Sequence, residues 1–117
     1  MSSKTKNNRA AKPRPKSPKA LPFVVVRCTA AGVHAGELVS HSGPNVVLRN
    51  SRRLWTWRVP MGAPAFLSGV ATRGLSHADS CVGCPIDVTL MDACEVISCT
   101  EVAATSIKEA PSHVRTN

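Results

Sequence analysis

Cys81-Val82-Gly83-Cys84 is the segment whose residue types come nearest to chemistry. Two thiols at this spacing form half of a metal knuckle, and His77 lies close by. Tetrahedral zinc needs four ligands that converge. Of the other thiols, Cys94 and Cys99 point to opposite faces if their stretch is extended, so a shared site is not expected. No metal and no cofactor is expected, with Cys81 and Cys84 as the nearest candidates. As a redox pair they lack the βαβ context and the helix N-terminus that activate a thiol. The cysteines number five. An odd count without an export signal predicts free thiols in a reducing cytoplasm. His34, His41, His77 and His113 stand in no recognisable arrangement with Ser, Cys or carboxylate. A Gly-rich phosphate loop, a nucleophile elbow and a metalloprotease helix are all missing from the sequence. The expectation is a protein that is not an enzyme.

The second segment is Arg52-Arg53-Leu54-Trp55-Thr56-Trp57-Arg58, which holds both tryptophans of the chain. Arginine beside aromatic rings can bind bases or nucleotides by stacking, cation–π contact and phosphate pairing. The more ordinary alternative is favoured. Arg53, Trp55, Trp57 and Val59 share one face of a strand, and the tryptophans are the largest core formers available. Arg52, Leu54, Thr56 and Arg58 then share the other face, which leaves Arg52 and Arg58 free for a ligand or a partner chain. With Arg27 and His34 on neighbouring strands, the candidate binding residues are Arg27, His34, Arg52, Arg53 and Arg58.

These residues need a scaffold. Phe23 to Thr29 is rich in β-branched residues and reads as a strand. Ala30-Ala31-Gly32 is a bend. Val33 to Ser40 is extended, and Gly36 inside it marks a bulge or a close backbone approach. His41 to Pro44 is turn chemistry. Asn45 to Asn50 and Arg52 to Val59 read as two further strands. Ala65 to Arg73 reads as a short helix, with Pro64 at its first position, an apolar stripe of Phe66, Leu67, Val70 and Ala71, and Gly74 as C-cap. Gly69 weakens that helix by about 1 kcal/mol relative to Ala. Residues 75–85 read as a loop, and Ile86–Leu90 and Ala93–Ser98 as strands. Thr100 caps a helix over 101–109 with Val102, Ala103, Ser106 and Ile107 on one face, and Pro111 ends it. The fold class is α+β: a small antiparallel β meander or partly open barrel of five to six strands with one or two short helices.

Charge divides the chain. Lys4, Lys6, Arg9, Lys12, Arg14, Lys16 and Lys19 lie in residues 1–20, with no acid among them. The remainder carries eight bases and seven acids, so nearly all of the net charge of +8 sits in the first 20 residues. That segment also holds Pro13, Pro15 and Pro18 and lacks aromatics. It reads as a disordered basic arm that neutralises phosphates of DNA or RNA. Residues 21–111 form the single domain and 112–117 a flexible end. A domain this small buries limited surface, which makes a homo-oligomer reasonable. Membrane partners are not expected, since no apolar run approaches the ~18 residues of a span. The basic N-terminus is followed by Pro and Lys, not by the apolar stretch of a signal peptide.

Three blocks carry a family resemblance. Residues 23–38, from Phe-Val-Val-Val-Arg through Ala-Gly-Val-His-Ala-Gly-Glu-Leu, form the first. The second is Asn-Val-Val-Leu-Arg-Asn-Ser-Arg-Arg-Leu-Trp-Thr-Trp over 45–57. The third is Val-Thr-Leu-Met-Asp-Ala-Cys-Glu-Val-Ile-Ser-Cys-Thr over 88–100, followed by Ser106-Ile107. In this order they resemble a domain-of-unknown-function family of small bacteriophage and prophage proteins. The chain departs from that family's pattern at 59–64, where Val-Pro-Met-Gly-Ala-Pro precedes the helix. The resemblance implies a phage-encoded protein in the host bacterial cytoplasm and no known activity. The leading expectation is an accessory protein that binds a small anionic, nucleotide-like ligand or a host protein, such as a counter-defence factor. The alternatives are a virion-associated decoration protein whose basic arm contacts DNA, and a non-specific nucleic-acid-binding protein.

Overall fold

The computed structural model describes residues 21–116. The expectations for the basic segment 1–20 lie outside them. Six strands and two helices follow in order: β1 (Phe23–Cys28), β2 (Val33–Ser42), β3 (Asn45–Thr56), α1 (Phe66–Arg73), β4 (Cys81–Val82), β5 (Ile86–Leu90), β6 (Ala93–Ser98) and α2 (Glu101–Glu109). The sheet is antiparallel in the order β4-β3-β2-β1-β6, and β5 also pairs with β3. The expected two strands over 45–59 are one long strand. The N-terminal part of β3 pairs with β5 and its C-terminal part with β4. The expected loop 75–85 contains β4 and a 3-10 turn at His77–Asp79. The sheet curls, because β5 and β6 are joined by two residues yet lie against β3 and β1 respectively. It remains open between them.

Both faces of the sheet are buried, as the continuous Val24-Val25-Val26 run requires. On one face Val24, Val26 and Cys28 of β1 meet Val46, Leu48 and Leu90 inside the curl. On the other, Phe23, Val25, Ala35 and Leu54 pack against Val70, Leu75 and Ile107 beneath the helices. Leu48 and Leu54 both occupy even positions of β3 but lie in different cores. The switch is a bulge: Asn50 and Ser51 stand opposite Gly36 alone, and Asn50 has a φ of 53°. One extra residue exchanges the two faces of a strand. Gly36 allows the approach, since a Cβ there would lie 2.8 Å from the Ser51 Cα.

The helices cover the second core. In α1, Val70 and Ala71 are buried, but Phe66 is 80% exposed, against the expected stripe. Phe66 has a φ of 67°, which turns its side chain away from the face that the helical period assigns it. The cap position is Ala65, so Pro64 precedes the helix rather than opening it. Gly74 ends it with a φ of 91°, its N–H donating to the carbonyls of Gly69 and Val70. In α2 the expected cap is present. The Thr100 hydroxyl accepts from Ala103 N–H at 3.1 Å and donates to the Thr72 carbonyl at 2.8 Å, joining the start of α2 to the last turn of α1. Thr100→Ala should therefore cost about 1–2 kcal/mol, the upper range for a cap, with Thr100→Ser losing much less in the same thermal melt. Of the expected apolar face, Ala103 and Ile107 are buried, whereas Val102 is exposed. The chain stays attached beyond the expected boundary at 111: His113 N–H donates to Val82 O at 2.8 Å.

Candidate functional site

The arginines of the Arg-Arg-Leu-Trp-Thr-Trp-Arg segment have different fates. Arg52 is 2% exposed, not free for a ligand. The bulge at Asn50–Ser51 turns it, with Leu54, under α2. Its Nε donates to Gly83 O at 2.5 Å, Nη1 to Ile107 O at 3.0 Å and Lys108 O at 3.3 Å, and Nη2 to Ala110 O at 2.8 Å and Ser112 Oγ at 3.3 Å. A guanidinium has five N–H donors, and all five are engaged. The terminal carbonyls of a helix lack intrahelical partners, and Pro111 cannot donate to them. Ala110 is the C-cap residue and its N–H donates to Ile107 O at 3.3 Å; Arg52 adds side-chain donors to this helix end from the sheet. Burial lowers its pKa from the ordinary value.

Arg27 is exposed and pairs with Glu95 at 2.9 Å, and this bond raises its pKa. His34 is 1% exposed, with Nε2 2.9 Å from Ala31 O. Burial lowers its pKa, which favours the neutral ring. Asp92 accepts from the N–H groups of Ala30 at 2.7 Å and Ala31 at 3.1 Å. The Ala30 bond above all holds its carboxyl below the usual range. Cys28 is buried nearby, and burial together with a bond to Asp92 pushes its thiol up to about 11. A thiol, histidine and carboxylate are thus neighbours, but the thiol stays protonated and the histidine is turned to a backbone carbonyl. The group builds the β1–β2 turn.

Cys81 is half-buried in β4 and Cys84 exposed beyond it. Among the described residues no set of three or more His, Cys, Asp and Glu side chains could hold a metal ion. The His77 ring nitrogen Nε2 lies 2.8 Å from Ser106 O instead.

Of the two tryptophans expected in the core, Trp55 lies outside it and Trp57 packs against its edge. Trp55 is 77% exposed, and Trp57 is half-buried against the rim of the helix-side core. Between the pairs Leu54↔Val82 and Thr56↔Cys81, β3 carries one extra residue, Trp55. That irregularity leaves Trp55 out of the β3–β4 ladder and facing outward. Trp57 is the hub of three adjoining depressions. One, of about 260 Å3, is lined by Arg53, Trp55 and the Ala30–Val33 turn. A second, of about 650 Å3, is lined by Arg58, the Pro60–Ala63 loop, Phe66 and Asp79. The third, of about 340 Å3, is lined by Arg27, Glu95, Phe66 and Leu67. Met61, fully exposed, adds to the second, beside Arg58. Among the described residues neither Arg53 nor Arg58 has a carboxylate partner. Asp79 is held by the Ser76 hydroxyl at 2.7 Å. The surface therefore combines three exposed or half-exposed aromatic rings with two unpaired guanidiniums. Phe66 and Met61 were not legible as part of it, because helical periodicity assigns Phe66 to the core. A bulky residue at positive φ is a genuine outlier, and such outliers cluster at functional sites.

A family model for a domain of unknown function, DUF6948, matches residues 21–107. The chain belongs to that family. The DUF6948 match spans β1 through most of α2 and contains Arg53, Trp55, Trp57, Arg58 and Phe66, whereas the basic segment 1–20 lies outside it. No curated protein and no solved structure matches the chain. Among the described residues of this DUF6948 protein, no helix is long and apolar enough to cross a membrane.

Proposed function

We propose that this protein is a non-enzymatic binding protein and that the aromatic–arginine surface around Trp57 holds a nucleotide-like anionic ligand. The observation that carries this reading is the outward Trp55 beside the unpaired Arg53. Keeping a large ring in water forgoes the ~1.5–3 kcal/mol that burying a large apolar side chain provides. A ring face with a cation beside it suits a heterocyclic base and its phosphate.

As part of the same proposal, the resemblance to phage and prophage proteins supports an accessory role in the cytoplasm of an infected bacterium. A virion role with residues 1–20 on packaged DNA is the second reading, favoured by the seven cations of that segment. Mass spectrometry of purified virions separates the two: many copies per particle favour the virion role.

The chain has two tryptophans and no tyrosine, so its intrinsic fluorescence reports on this surface directly. Titration with nucleotides and short oligonucleotides should quench it saturably. Trp55→Ala should weaken binding while leaving the melting temperature nearly unchanged, because the side chain is mostly exposed. Unaltered fluorescence at saturating ligand would refute the assignment.

A further inference from the structure

We infer that the ligand of this surface is single-stranded nucleic acid several nucleotides long, not a mononucleotide. The inference rests on the binding role proposed above and adds the class of ligand. Three observations carry it.

The first is shape. Ligand sites for small molecules enclose 70–90% of their occupant. Here three shallow depressions meet at Trp57, and exposed Trp55, Met61 and Phe66 stand along their rims. A mononucleotide in any one of them keeps much of its surface in water. A polymer crossing from one to the next gains each further contact at high effective concentration.

The second is the placement of charge. Arg53 in β3 and Arg58 just beyond its end are five residues apart, roughly 16 Å of extended chain. Stacked nucleotides advance about 3.4 Å per step. A single strand lying along this stretch offers the two arginines phosphates about five steps apart, one to each. Arg27 is neutralised by Glu95 and contributes less.

The third is the exposed ring faces. Stacking on Trp55, Trp57 or Phe66 needs a base whose own face is free, which a duplex hides and a single strand offers. The cations of residues 1–20 complement any polyanion, and their contribution is independent of base stacking.

The test uses the full chain. Thymidine monophosphate, oligo-dT of two, four and eight nucleotides, oligo-U of eight and a short blunt duplex are titrated while tryptophan fluorescence is read. Anisotropy of labelled strands gives affinity for the same set. The expected result is saturable quenching by both single-stranded octamers. Affinity should rise at least about tenfold from dinucleotide to tetranucleotide and then level off. Trp55→Ala should lose about tenfold for the octamers, within the range for one stacked base. The duplex should bind without comparable quenching. A preference between oligo-U and oligo-dT assigns the source as RNA or DNA, and either supports the inference.

Quenching by the monophosphate as tight as that by the octamer would overturn the inference and leave the nucleotide-binding role standing. Octamer binding without quenching, unaffected by Trp55→Ala, would also overturn it, by moving recognition to the basic segment. Silence of the fluorescence toward every nucleotide would overturn both readings, and a protein partner would then be the occupant to seek.

Discussion

Arg52→Ala should abolish cooperative unfolding or lower the melting temperature by about 15 °C or more. The guanidinium serves the carbonyls of Gly83, Ile107, Lys108 and Ala110, and those of Ile107 and Ala110 are buried. The Ile107 carbonyl keeps the Ala110 N–H at 3.3 Å, so the buried acceptor left without a donor is that of Ala110, at about 1–3 kcal/mol; with the bonds to Gly83 and Lys108 also lost, the sum for this site is on the order of 4 kcal/mol. A domain of this size has only about 5–15 kcal/mol in total, and each kcal/mol moves its melting point by about 4–8 °C. Arg52→Lys keeps the charge near the end of α2 but loses the planar fork, and should recover about half of the loss. Arg53→Ala, at an exposed position of the same strand, should stay within about 0.5 kcal/mol of the parent. Far-UV circular dichroism melts of the three variants provide the comparison. Equal melting points for Arg52→Ala and Arg53→Ala would show that these donors are dispensable.

Gly69→Ala should destabilise the protein by about 2 kcal/mol and weaken oligonucleotide binding with it. In an isolated helix the same change would stabilise by about 1 kcal/mol. Gly69 is buried where the Pro60–Pro64 loop folds back on α1. A Cβ would collide with the Pro64 carbonyl oxygen and come within 2.7 Å of Val59 Cγ1. Backbone cannot yield as a side-chain tip does, and overpacking of this kind costs about 1–3 kcal/mol. The displaced loop lines the depression beside Arg58, so affinity and stability should fall together. A stabilised Gly69→Ala variant would mean that the loop does not rest on the helix.

Thr100 and Gly69 differ in how far a local sequence reveals their role. A cap acts over three residues, so Thr100 and Ala103 are enough to reveal it. Gly69 is judged locally as a weak helix residue, but its reason is a carbonyl five residues back in a loop without periodicity. Arg52 is less legible still. Its acceptors lie 31 to 60 residues away, and four of the five are carbonyls, which every residue possesses. Strands β1, β5 and β6 follow from composition and alternation. The tryptophans defeat the same logic because alternation holds only between bulges. Asn50 is the one local hint, as asparagine tolerates positive φ better than most residues. Beyond it the inside and outside of β3 exchange, and Arg52 goes in while Trp55 goes out.

Photo-crosslinking of the full chain to a bromouridine-substituted single strand, with the crosslinked residues mapped by mass spectrometry, locates the binding surface. Crosslinks are expected at Trp55, Trp57 and Phe66, lost when unlabelled single strand competes and retained when duplex does. Crosslinks confined to residues 1–20, or to the surface around the Arg49–Glu37 pair, would contradict this expectation.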